Sequence, residues 1–211
     1  MRMIRLVLLV ALMLASGLGV GCSSELDPTK PEHAYLIFRN ALFEGDAATI
    51  WQRSDQPTHE YFQTRYEQLV QMGTFIETYL PQTDHRLAKR QSGAELTDMV
   101  SSGQELFLKV FQPALLPGEE PVRFGSEVQE IQMSEDGAAA VIVTRSEQQF
   151  LLAKAADNQW YVSLVESGDV VETSFKWLDQ NESALKQTVE DLIAEERKKR
   201  EAIIAELMNV K

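Results

Sequence analysis

The sequence predicts an α+β fold: N-terminal helices packed on an antiparallel meander of about four strands, followed by a long charged C-terminal helix. Three observations predict it. Apolar residues recur at helical intervals from residue 31 to residue 111. The period falls to two between residues 122 and 164, with turn residues at 135–137 and 157–159. From about residue 171 the helical period returns, now laced with charges of opposite sign four residues apart.

Length and composition agree with a single domain. The chain has 211 residues, 44% of them hydrophobic, enough to bury a core without a second folding unit. Its formal net charge is −12. Without the first 21 residues, which contribute only Arg2 and Arg5, 18 basic residues face 32 acidic ones, a net charge of −14. So acidic a surface repels phosphate backbones, and nucleic acid is not an expected partner. The only cysteine is Cys22, so no disulfide forms within the chain and the fold rests on its core.

The first segment is built for export. Arg2 and Arg5 precede an apolar run from Leu6 to Ala15, and small residues lead to Gly19-Val20-Gly21-Cys22. These residues resemble a bacterial lipoprotein signal with its lipobox, the leucine of that pattern standing at Leu18, one position early. The resemblance implies cleavage after Gly21, a diacylglyceryl group on the Cys22 thiol and an acyl chain such as palmitate on its freed amine. Two or more chains anchor stably where one does not. Ser23 follows the cysteine, which in a host with two membranes implies the outer membrane, facing the periplasm. An ordinary secretory signal and an uncleaved membrane helix are the other readings of the same segment. Residues 22–30, with Pro28, read as a short tether.

The elements then follow in order. Pro31 suits the first turn of a helix over 31–44, with Ala34, Phe38, Ala41 and Leu42 on one face. Gly45 suits its left-handed end and Asp46 the cap of a short helix holding Ile50 and Trp51. Ser54-Asp55-Gln56-Pro57 restarts the chain as a long helix, with Phe62, Tyr66, Leu69, Gly73, Ile76 and Leu80 at helical spacing until Pro81 closes it. Residues 82–93 carry no clear pattern. Ser92…Glu95 and Ser102…Glu105 have the spacing of capping boxes for two short helices, and Pro113–Pro121 reads as a loop.

The strands come next. Val122, Phe124 and Val128 share one phase and Ile131 and Met133 the other, so a bulge is expected between them. Ala139, Val141 and Val143 alternate, then Phe150 and Leu152, then Trp160, Val162 and Leu164. In the last helix Phe175, Leu178, Leu185, Val189 and Leu192 form a stripe that breaks at Glu195–Glu201 and resumes with Ile203, Ile204, Leu207 and Met208. The expected division is a signal over 1–21, a tether over 22–30, a domain over 31–170 and a helical extension over 171–211.

The opening Glu32…Tyr35…Phe38…Ala41-Leu42…Gly45-Asp46, the Gly137–Val141 hairpin and Trp160-Tyr161-Val162 together resemble the NTF2-like, or cystatin-like, α+β superfamily over roughly residues 31–166. The resemblance implies a cone of helices closed by a curved sheet. Members that are enzymes move protons with a buried acid or base.

Residues that carry chemistry are sparse. His59-Glu60 opens like a zinc-protease signature, but Gln63 stands where the second imidazole is required. His33, His59 and His85 are far apart in sequence, and no metal or cofactor is expected. Asp46, Asp55 and Asp84 stand at helix starts or in loops, where capping explains them. Tyr35, Phe38, Trp51, Phe62, Tyr66 and Trp160 are either core or the lining of an apolar pocket for a small molecule. Ile203, Ile204, Leu207 and Met208 are candidates for docking a protein partner. The leading expectation is a non-enzymatic, membrane-anchored envelope lipoprotein that binds a partner protein or a small apolar ligand. Its rivals are an NTF2-like enzyme with a proton-transfer pocket and a structural subunit of an envelope complex.

Overall fold

In the computed structural model of the chain, the described residues are 26–111, 125–167 and 170–209. The signal segment, Cys22, the Pro113–Pro121 loop, Val122 and Phe124 lie outside them. The architecture is α+β, with helices first, a four-stranded antiparallel sheet next and a long helix last.

Helix α1 (Pro31–Glu44) opens with its proline in the first turn and ends at Gly45, whose φ of 69° places it in the left-handed region. Asp46 caps α2 (Ala47–Gln52) by accepting from the Thr49 N–H. Asp55 caps α3 (Gln56–Tyr79) in the same way at Thr58. A carboxylate at these ends satisfies an amide that has no partner within the helix.

Residues 82–93, unpatterned in sequence, hold α4 (His85–Ser92), which ends at the left-handed Gly93. The capping box expected at Ser92 and Glu95 does not form. Ser92 is the last residue of α4, and a 3-10 turn (Ala94–Asp98) follows without a side-chain cap. The second box forms in altered shape ahead of α5 (Gly103–Val110). Ser102 accepts from the Glu105 N–H, while Glu105 reaches back to the Ser101 N–H rather than that of Ser102.

The sheet is a meander in the order β1 (Val128–Met133), β2 (Ala139–Thr144), β3 (Gln149–Lys154), β4 (Trp160–Val162). The expected bulge is present between Val128 and Glu130. In β2 the phase differs from the sequence reading. Ala140, Ile142 and Thr144 are buried, while Ala139, Val141 and Val143 are half-buried. The strand is apolar at both parities, so only packing decides which face turns inward. Register sets Ile131, Ile142 and Phe150 side by side, and likewise Ala140, Leu152 and Val162.

Helix α1 crosses the buried face of the sheet, with Tyr35 and Phe38 against Phe150 at ring distances of 5.1 and 6.2 Å. A second cluster joins Trp51, Phe62, Phe107 and Phe175 where α2, α3, α5 and the last helix meet. The two halves are stitched at residues 53–55. Val162 N–H donates to the Arg53 carbonyl and Asp55 N–H to the Val162 carbonyl, so this segment extends the sheet beyond β4.

The last helix, α6 (Val170–Asn209), has 40 residues and is about 60 Å long. Phe175, Leu178, Leu185 and Val189 are buried, as the stripe predicts. Arg65 and Gln68 of α3 hold Asp179 and Glu182 of α6. Beyond Leu192 the domain ends and the helix continues: every residue from Ile193 to Met208 is exposed. The expected pairs Glu182/Lys186, Glu195/Lys199 and Glu196/Arg200 all form along it.

Candidate functional site

The structure separates the six aromatics considered as pocket lining. Tyr35 and Phe38 belong to the cluster around Phe150, and Trp51 and Phe62 to the one around Phe107. Tyr35 is buried, its hydroxyl donates to the Ser126 carbonyl at 2.9 Å, and burial pushes its pKa up to about 12. Trp160 is buried and gives its indole N–H to the Thr29 carbonyl, 3.1 Å away. Tyr66 is half-buried on α3. None of these six side chains lines the described grooves at α1, at α4 or along α6.

The Trp160 contact also changes where the domain begins. Trp160 N–H donates to the Pro28 carbonyl at 2.9 Å, and the Asp27 N–H donates to His33 Nδ1. The last residues assigned to the tether are therefore fixed to β4 and α1.

The histidines and the buried Asp55 are engaged in structural contacts. His59 stacks on Trp51 at 4.1 Å with its Nε2 2.8 Å from the Trp51 carbonyl, and His85 Nε2 lies 2.9 Å from the Leu80 carbonyl. Asp55 is the buried carboxylate among the described residues. It accepts from both the N–H and the hydroxyl of Thr58, whose oxygen in turn accepts from the Leu164 N–H at 3.0 Å. That triangle joins the start of α3 to the chain after β4. Among the described residues no cluster of three His, Cys, Asp or Glu side chains could hold a metal ion.

What the structure does offer is a groove and a helix end beside it. The groove has a volume of about 510 Å³ and runs between α4 and the middle of α6. Leu80, Leu87, Ala88, Leu185 and Leu192 give it an apolar floor, and Asp84, Asn181 and Thr188 lie at its edges. Leu87 is 51% exposed, unusual for a leucine on a docked helix. Sequence reasoning missed this site, because α4 carries one leucine among basic and polar residues. Its partner residues lie about 90 positions later.

Beyond the groove, α6 presents the predicted docking residues together. Ile203 and Ile204 are 57% and 56% exposed, Leu207 71% and Met208 74%. Ile193 is exposed in the same stretch. Charges brace the backbone around them: Arg197 pairs with Glu201 at 2.9 Å and Lys199 with Glu195 at 2.8 Å. An isolated helix gains about 0.2–0.5 kcal/mol from each such pair.

The arrangement can bind, through apolar contact along a preformed helix and a groove at its base. Among the described residues no helix is long and apolar enough to cross a membrane. Comparison of the chain with described protein families, with curated proteins and with solved structures finds no match.

Proposed function

We propose that this chain is a lipid-anchored envelope protein that binds another protein through the free end of α6 and performs no chemistry of its own. The observation that carries the reading is the apolar set Ile203, Ile204, Leu207 and Met208, held in a formed helix that has left its own core. Burying one such side chain contributes about 1.5–3 kcal/mol, so leaving four of them in water favours a partner. The lipobox-like Gly19-Val20-Gly21-Cys22 supports the anchor, and the order of helices followed by a meander supports reading the domain as NTF2-like. The engagement of Asp55 and the histidines in caps and carbonyl contacts favours binding over the proton-transfer alternative.

Two measurements test the two halves. Cells fed an alkyne-tagged palmitate label the wild-type chain and fractionate it with membranes, whereas Cys22→Ala removes both label and membrane association. Equal labelling of the two chains refutes the anchor. In native electrophoresis of mild detergent extracts, the wild type migrates above the monomer and an Ile203→Asp/Leu207→Asp variant migrates as one. A wild type that already runs as a monomer refutes docking through α6.

A further inference from the structure

We infer that the partner seated on α6 is a second copy of the same chain, running antiparallel. This rests on the docking reading above and names its occupant. The argument begins with one face of the helix. Ile193, Glu196, Arg200, Ile203, Ile204 and Leu207 lie within about 100° of one another around the axis. This is the direction in which Leu178 and Val189 face the domain lower down, so the face that packs inward at the base stays open beyond it.

Along that face the sequence reads nearly the same in both directions about Lys198. Positions equidistant from it complement one another: Glu196 with the oppositely charged Arg200, Ile193 with Ile203, Leu192 with Ile204. Glu196 and Arg200 pair within each helix at 3.3 Å, and when two copies cross antiparallel at this point the two pairs lie reversed against each other, so that each Glu196 also meets the Arg200 of the second copy. Two charge pairs then sit at the centre of the seam, flanked on either side by isoleucine and leucine layers. Lys198 itself points about 170° away from the middle of the face, so the two symmetry-related ammonium groups do not meet. Arg197 and Glu201, at the edge of the seam, are already paired on their own helix.

Other arrangements do worse. In a parallel pair in register, Glu196 faces Glu196 and Arg200 faces Arg200, which repels. A different protein would need to mirror a charge pattern that this chain already supplies to itself. The antiparallel crossing is also two-fold symmetric, with one patch serving both copies, and such closed contacts are the commonest form of self-association. The segment from Ile193 to Met208 is about 24 Å long. In this register Ile203 and Ile204 of the second copy arrive level with Ile193 and Leu192, where the domain ends.

The test uses full-length chains carrying two different affinity tags, expressed together and extracted in mild detergent. Wild-type copies co-purify. Glu196→Arg alone or Arg200→Glu alone sets four like charges at the crossing and lowers co-purification at least about tenfold. Expressing the Glu196→Arg chain with the Arg200→Glu chain restores it, because each variant complements the other. Circular dichroism of each variant verifies that the helix remains. Wild-type copies that fail to co-purify overturn the second-copy inference, as does failure of the mixed pair to recover. If the wild type still migrates above the monomer in that case, docking through α6 stands with a different occupant. If it migrates as a monomer, both readings fall.

Discussion

The guanidinium of Arg65 on α3 meets the carboxylate of Asp179 on α6 at 2.5 Å, and Gln68, one turn along α3, donates to the same carboxylate at 3.1 Å. Arg65 also lies over the Tyr61 ring, 4.9 Å from its centre. These contacts fasten α6 just above Phe175 and Leu178, the residues that bury its lower end.

The fastening is acid-sensitive. The hydrogen bond from Gln68 and then the Arg65 charge hold Asp179 below the usual carboxylate range, and Lys186 and then Gln68 do the same for Glu182. Carboxylates whose folded pKa is lowered contribute stability above their unfolded values, and that contribution is lost as pH falls through the folded ones. Docking of α6 therefore weakens below about pH 4. Urea titrations followed by tryptophan emission, repeated from pH 7 to pH 3, reveal the decline. Asp179→Asn flattens it and costs about 1 kcal/mol or less at neutral pH, since half of the carboxylate is in water. An unchanged pH profile in that variant contradicts the assignment.

Three glycines separate two causes of strain. A methyl group on Gly103 falls 2.4 Å from the backbone nitrogen of Gln63, where α5 crosses α3 with no room to give. One on Gly93 meets the Trp177 ring at 2.4 Å and also requires φ near +86°. Gly45 has φ of +69° but open space around it. Gly45→Ala then costs about 1–2 kcal/mol for the left-handed backbone alone, Gly103→Ala about 1–3 kcal/mol for overpacking alone, and Gly93→Ala combines the two. Denaturation midpoints for the three variants should show Gly93→Ala as the most destabilised.

Thr58→Val is close in shape but removes the hydroxyl shared by Asp55 and the Leu164 N–H. Two buried polar groups lose a partner at once, at about 1–3 kcal/mol for each group left unsatisfied. Amide exchange at Leu164 should quicken together with the loss of stability. Slow exchange there would show that the hydroxyl is dispensable.

Phe107 is wholly buried and contacts the rings of Trp51, Phe62 and Phe111 at 5.0–5.1 Å and 4.6 Å. Phe107→Ala should cost about 3–5 kcal/mol, measured by thermal or urea unfolding. A loss below 1 kcal/mol would mean that the cluster can close over the gap.

Where the chain carries its own local signal, the fold was legible. Pro31, Asp46 and Asp55 begin helices as their chemistry requires, and the change of period read from residue 122 onward leads into a sheet whose first described strand starts at Val128. Helix α4 was not legible because its restraint is remote: Asn181 of α6 donates to the carbonyls of Gln91 and Ser92. The phase of β2 was hidden because Ala140 and Ile142 are as apolar as Val141 and Val143, and only α1 above the sheet chooses between them. Among the candidate site residues, the exposure of Ile203, Ile204, Leu207 and Met208 followed from the charged break before them. The groove depends on α4 and was hidden with it.

The clasp between Trp160 and the Pro28–Thr29 carbonyls has a geometric consequence for a protein held at Cys22. With Pro28 already seated on the sheet, six peptide steps separate Cys22 from the folded body, a reach of about 20 Å. The lipid proposed on Cys22 would thus hold one particular flank, that of β4 and the start of α1, near the bilayer.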